Sequence, residues 1–137
     1  MSRWAGERTG RERLIFILHV GYGFVAAGFV LAALASFALV PESAGVPAWT
    51  AGAVGTMTLA VMSRASLGHT GRELTATAAT QMIYGAVFIA ALARIWADLD
   101  PSCSTLLLHV AAFCWAAGFL GLGAVYARIL AGPRVMR

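Results

Sequence analysis

The chain has no lysine, only 6 acidic residues against 10 arginines, and charged residues form just 12% of its 137 positions, while hydrophobic residues form 60%. That shortage of charge excludes an ordinary soluble domain, in which about a quarter of residues are charged. None of the acidic residues falls inside an apolar run, and a proton-coupled exporter, which needs a membrane-embedded carboxylate, is disfavoured accordingly. Cys103 and Cys114 are the only cysteines; eleven residues apart on one helix, they lie about 16 Å from each other along its axis and cannot bridge. With no CxxC or CxxCH, covalent haem attachment is excluded. The sequence also lacks a nucleophile and base pair, a phosphate loop and paired carboxylates, so no classical enzyme chemistry is expected.

What is present is apolar length. Four runs, Leu14 to Val40, Ala48 to about Leu67, Thr75 to Ala97 and Thr105 to Ala131, are each near or above the ~20 residues that cross a bilayer as a helix. They are continuous and rich in Ala, Leu and Gly, unlike the short alternating strands of membrane barrels. The expected fold is all-α: one four-helix transmembrane up-down bundle over residues 1–137. The apolar region before Ala33-Leu34-Ala35 is about 19 residues, longer than the ~7 to 15 of a signal sequence, so the first helix is expected to be retained.

Arginine sets the orientation. Arg3, Arg8, Arg11, Arg13, Arg64, Arg72, Arg128, Arg134 and Arg137 fall on one side, whereas Glu42, Asp98 and Asp100 mark the other, with Arg94 the one arginine near them. The positive-inside rule places both termini and the Gly68 to Leu74 turn in the cytoplasm of a bacterial inner-membrane protein. The net charge of +4 is then topological, and the partner it implies is a lipid bilayer, not nucleic acid. Pro41 to Pro47 and Asp98 to Ser102 read as turns. Arg94 and Asp98, four apart, read as an intrahelical pair. The tryptophans Trp4, Trp49, Trp96 and Trp115 read as interface anchors or core filler, and the small residues Gly21, Gly23, Ala27, Gly28, Gly52, Gly55, Gly118, Gly121 and Gly123 as packing positions.

His19, His69 and His109 are the metal-binding or acid/base candidates within the helices, since neutral imidazole is a good ligand for haem iron and for copper. His19 lies about 7 Å into the first helix, and its stripe continues through Tyr22, Gly23, Ala26 and Ala27, which leaves room for a planar macrocycle. His69 closes the second helix, on the same side of the membrane; His109 is roughly 15 Å away along the normal of a ~30 Å core. A bis-histidine site would therefore use His19 and His69, and His109 would serve a second site. Each histidine also reads plainly as a packing residue with one hydrogen bond to its surroundings. Arg64 either snorkels to the headgroups or pairs with an anion.

The segment Gly52-Ala53-Val54-Gly55-Thr56-Met57-Thr58-Leu59-Ala60-Val61-Met62-Ser63-Arg64-Ala65-Ser66-Leu67-Gly68-His69-Thr70-Gly71-Arg72, with Leu18-His19-Val20-Gly21-Tyr22-Gly23, Arg94, Trp115, Tyr126 and Ile129-Leu130, resembles the NnrS family. These are bacterial membrane proteins of the nitric-oxide response, described as containing haem and copper. The chain is similar to the C-terminal part of longer members, and Pro47 stands where members often carry a histidine. The resemblance implies haem b held by His19 and His69, with Arg64 and Arg72 as anion or propionate partners, Tyr22 in the cofactor-binding segment, Gly23 and Gly68 as close-approach positions, and copper as a second metal. It also implies protection against nitrosative stress. Two other readings stand beside it: a non-catalytic assembly unit acting as a homo-oligomer or with a partner membrane subunit, and a small b-type electron-transfer cytochrome.

Overall fold

A computed structural model describes residues 13–132. Trp4, Arg3, Arg8, Arg11, Arg134 and Arg137, and the side chain of Arg13, lie outside the described residues. Four helices follow one another: α1 (Arg13–Ser36), α2 (Glu42–His69), α3 (Ala78–Leu99) and α4 (Ser104–Ala131). All four are long and apolar enough to cross a membrane. Among the described residues there is no strand.

The helix ends follow from local hydrogen bonding. α1 stops at Ser36, short of Val40, because the chain reverses through Ala38 at φ 55°. Ala38 N–H donates to Ala35 O at 2.9 Å and Leu39 N–H to Leu34 O at 3.1 Å. This is the Schellman pattern, with alanine in the left-handed position that glycine usually fills. Gly71 fills the same position after α2 at φ 69°, with Arg72 N–H donating to Leu67 O at 3.0 Å and Gly71 N–H to Gly68 O at 3.2 Å. At the start of α3 Thr77 acts as N-cap, its hydroxyl accepting from Thr80 N–H at 3.3 Å.

α2 starts at Glu42, ahead of the boundary that Pro47 suggested. It opens with a 3₁₀ turn over Glu42–Ala44, carries Pro47, and widens into a π-helical stretch over Ala48–Val54 before the regular turns of Gly55–His69. The Gly55 N–H accordingly reaches back five residues to Thr50 O. Two hydroxyls bond back to carbonyls along this stretch: Thr50 Oγ1 donates to Val46 O at 2.8 Å and Thr56 Oγ1 to Gly52 O at 2.6 Å.

α2 is the most enclosed helix and packs on α1, α3 and α4, while α4 lies mainly along α3. Near the end where Arg64 and Arg72 lie, all four helices share one core: Leu14 and Ile17, Leu59 and Leu67, Ile83 and Val87, Leu122 and Tyr126. Towards the Asp100 end a smaller cluster of Phe24, Ala53 and Ala91 continues it. Two glycines set the closeness of approach. A Cβ on Gly28 would lie 2.1 Å from Trp49 Nε1, and one on Gly55 would lie 2.4 Å from Trp115 Cη2. Trp49, held flat over α1, also donates its indole N–H to Val25 O at 3.2 Å.

Gly28→Ala and Gly55→Ala are expected to destabilise the detergent-solubilised protein by about 1–3 kcal/mol, because each forces a rigid indole to move. Gly23→Ala, with open space around it, should cost nothing. Equal effects of the three in unfolding experiments would refute this packing. Ala38→Gly should stabilise by up to ~1 kcal/mol through relief of the left-handed alanine; an unchanged or lower melting temperature would contradict it.

Candidate functional site

The buried polar groups form a row. Thr56 and Ser63 on the enclosed face of α2, and Thr70 just past its end, recur every seven residues, and each hydroxyl bonds a carbonyl of the preceding turn. Ser63 does more. Its Oγ lies 2.7 Å from Leu59 O and also bonds Tyr84 Oη. A carbonyl can only accept, so the single serine hydrogen goes to Leu59 and the tyrosine must donate to Ser63. One step along, Thr80 Oγ1 bonds Tyr126 Oη at 3.1 Å. The two pairs fasten α2 to α3 and α3 to α4. Sequence reading missed them, although Thr56 and Ser63, and Thr77, Thr80 and Tyr84, already stood at helical spacings in otherwise apolar runs. Among the described residues no buried side-chain nitrogen or oxygen lacks a partner.

The histidines face outward. His19 is exposed, with Nδ1 3.1 Å from Ile15 O, and His109 is exposed, with Nδ1 2.7 Å from Thr105 O. Because the carbonyl accepts, Nδ1 carries the proton, and a neutral ring presents the Nε2 lone pair away from its own helix. This is the arrangement a metal-binding imidazole uses, with its second nitrogen fixed by a carbonyl. The expected stripe beside His19 is real and lies on the outer surface, since Tyr22, Gly23, Ala26 and Ala27 are all exposed.

Within one chain the structure does not bring His19 and His69 together. α1 meets α2 through Gly21, which faces Thr56 and Met57; His19, two residues earlier, is turned about 160° from that contact. On α2, Arg64 follows Met57 by seven residues and shares its row, and it is half-buried. His69, five residues further on and exposed, is turned about 140° from that row. Gly23 and Gly68 have nothing within 4 Å of a built Cβ, so they approach no other helix of the chain. The close approaches belong to Gly21, Gly28, Gly45, Gly52, Gly55 and Gly118, with Gly121 looser, its built Cβ 3.2 Å from Ile83; of the other small residues expected to pack, Gly123 has open space around it and Ala27 is exposed. Arg72 is exposed and lies against the end of α4, its Nη2 3.6 Å from a Cβ built on Gly132 beside the Arg128 and Ile129 carbonyls. A cation suits the negative end of a helix dipole. Among the described residues no three His, Cys, Asp or Glu side chains gather as a metal cluster.

Two cavities are open to the lipid. One of about 580 Å³ lies between α1 and α3, lined by Phe16, Val20, Gln81, Tyr84, Gly85 and Phe88. The other, about 410 Å³, lies towards the Asp100 end between α2, α3 and α4, where Thr50, Ala90, Arg94, Leu108, Ala112 and Trp115 form its walls. No histidine lines either, so a histidine-held group fits the outer surface of the bundle and not its interior. The expected pair exists: Arg94 Nη1 donates to Asp98 Oδ1 at 2.6 Å, with Asp98 drawn into the last turn of α3 because that helix runs to Leu99. In the turn beyond, Asp100 Oδ1 accepts from Ser102 Oγ at 2.5 Å and from Ser102 N–H at 3.0 Å. These bonds hold its carboxyl below the ordinary aspartate range.

These features define an all-helical, multi-pass membrane protein whose polar groups are concentrated on α2 and its contacts. The chain matches the NnrS protein family over residues 1–134 and belongs to that family. Membership suggests a membrane protein of the nitric-oxide response. No curated protein and no solved structure matches the chain.

A double-mutant cycle of Ser63→Ala and Tyr84→Phe is expected to give a coupling of about 0.6–1.7 kcal/mol, as found for hydrogen bonds between membrane helices; additive effects would sever the proposed link. Asp100 supplies a pH dependence. Its carboxyl is depressed in the fold, so its contribution is present above the unfolded aspartate value and is lost as pH falls through the lower folded value. Unfolding of the native protein below about pH 4 should therefore include a component that Asp100→Ala lacks, and identical acid profiles would refute it.

Proposed function

We propose that this is a bacterial inner-membrane protein of nitrosative-stress protection, both termini cytoplasmic, that holds haem b on its outward face through His19 and His69. One observation carries the reading: His19 gives its Nδ1 proton to Ile15 O and leaves Nε2 directed outward beside Tyr22 and the open space at Gly23. Imidazole so fixed is prepared for axial ligation of iron. Because His19 and His69 point to different sides of the α1–α2 contact, each chain offers single ligands, and the second axial position comes from another copy or a partner membrane subunit. The homo-oligomer and the haem are thus one proposal. Arg64 and Arg72, at the same end of the bundle, are the cations for propionates, and Gly68 leaves the surface open beside His69. His109, with the same carbonyl-bonded Nδ1, is the position offered to copper. When bound, haem would supply a site for nitric oxide, while the protein fixes the imidazoles and balances the anionic groups.

The reading of a non-catalytic assembly unit is favoured by a different observation, namely that so many large apolar side chains of α1 and α4, among them Phe29, Val30, Phe113 and Leu120, are exposed. Lipid alone satisfies them equally well, so the experiment must separate the two readings. Protein purified in mild detergent should show a Soret band that weakens or shifts in both His19→Ala and His69→Ala, with metal analysis giving iron in proportion and crosslinking giving dimers or higher species. Oligomers without a Soret band would favour the assembly unit. A Soret band unchanged in both variants would exclude these ligands.

A further inference from the structure

We propose that the 410 Å³ cavity towards the Asp100 end binds the dihydroxy-aromatic head of a membrane quinol, with Arg94 donating to one ring oxygen and Thr50 accepting from the other. The argument begins with where the cavity opens. Ala112 and Leu108 on its rim are exposed on the lipid-facing surface of α4, so a ligand enters from the bilayer and must be lipophilic. Its walls then specify shape. Alanine side chains from different helices give flat surfaces, and Trp115, pinned between Gly55 and Phe119 (ring centroids 4.8 Å apart), offers an aromatic surface to a planar ring.

The polar groups specify chemistry. Arg94 is the one charged residue lining the cavity, but Asp98 neutralises it at 2.6 Å through a single Nη1. The pair carries no net charge with which to hold an anion, while guanidinium N–H groups beyond that single bond remain as donors. The matching ligand group is a neutral oxygen. Thr50 is the complement. Its hydroxyl hydrogen is committed to Val46 O at 2.8 Å, so its oxygen offers only lone pairs and calls for a donor on the ligand. A flat lipophilic ring with an acceptor for Arg94 and a donor for Thr50 is a quinol; the oxidised quinone keeps the acceptor and loses the donor. The site is independent of the histidines and of any haem.

Calorimetric titration of the purified chain in detergent micelles with decylubiquinol and decylubiquinone tests this. The reduced form should bind about 3–10-fold more tightly, the value of one hydrogen bond, and Thr50→Val should abolish that preference while leaving quinone affinity unchanged. Ala112→Leu, which fills the cavity without touching the ion pair, should weaken both ligands at least about 10-fold, whereas Phe16→Ala in the other cavity should change neither. Equal affinity for the two redox forms, or binding indifferent to Ala112→Leu, would overturn the proposal. So would displacement by phosphatidylglycerol as effective as that by excess quinol, which would mark the cavity as a lipid site. His19→Ala and His69→Ala should leave the titration unchanged, so a failed haem assignment and a failed quinol assignment are separately visible.

Discussion

In a bilayer an apolar helix face gains nothing by leaving lipid for protein, so the helices must be held by close packing and by polar groups that find partners only in one another. α2 supplies both. Gly52 and Gly55 let Phe24 and Trp115 rest on its backbone, and Thr56 and Ser63 place hydroxyls along its enclosed face, with Thr70 continuing the row just past its end. From Ser63 the network passes to Tyr84 on α3, and a separate bond between Thr80 and Tyr126 carries the fastening on to α4. These bonds are individually modest, yet they fix the rotation of α3 about its axis. The positions of Arg94 and Ala90 in the wall of the cavity follow from that rotation.

The same helix explains why the two ends of the bundle differ. Near Arg64 the turns of α2 are regular and four helices converge on Leu59, Leu67, Ile83 and Leu122. Towards the other end Pro47 and the π-helical turns follow one another, large side chains give way to alanines, and the core thins to Phe24, Ala53 and Ala91. Thr50 and Thr56 bond back to carbonyls of this stretch, which leaves fewer of its hydroxyls turned to lipid. The cavity is a consequence of a helix that widens where its neighbours carry little bulk.

The existence of the four helices was legible because each apolar run is long, and the Arg94–Asp98 pair because spacing alone specifies it. The inward face of α1 was not legible. That helix is apolar on every side, so periodicity selected the stripe of His19, Tyr22, Gly23 and Ala26 without saying whether it faced in or out. Charge placement puts His19 and His69 on one side of the membrane but carries neither rotation nor register, and both separate them: with Gly21 against Met57, His69 lies about 18 Å further along α2 while His19 lies about 3 Å from Gly21 on α1. Pro47 reads as a boundary because proline cannot donate to the preceding turn, yet it stands near the start of α2, where Ser43 O takes the Gly45 N–H instead. The left-handed Ala38 gave no signal, because nothing in an alanine marks it as a cap.

The outward histidines and the lipid-facing cavity have one physical origin. A chain of this length spends its small residues and hydroxyls on joining four helices, and the interior they enclose is filled by Leu59, Val87, Thr56 and Ser63 at full burial. The outward histidines and the open cavity walled by Thr50, Ala90, Arg94 and Trp115 therefore place ligand chemistry where lipid or another helix bundle covers the protein, and imidazoles with a carbonyl-bonded Nδ1 and a neutralised arginine can be tolerated there without water. On this view the inward-facing residues of α2 determine stability, and the outward-facing residues of all four helices, Thr50 and His69 of α2 among them, determine what the protein can bind.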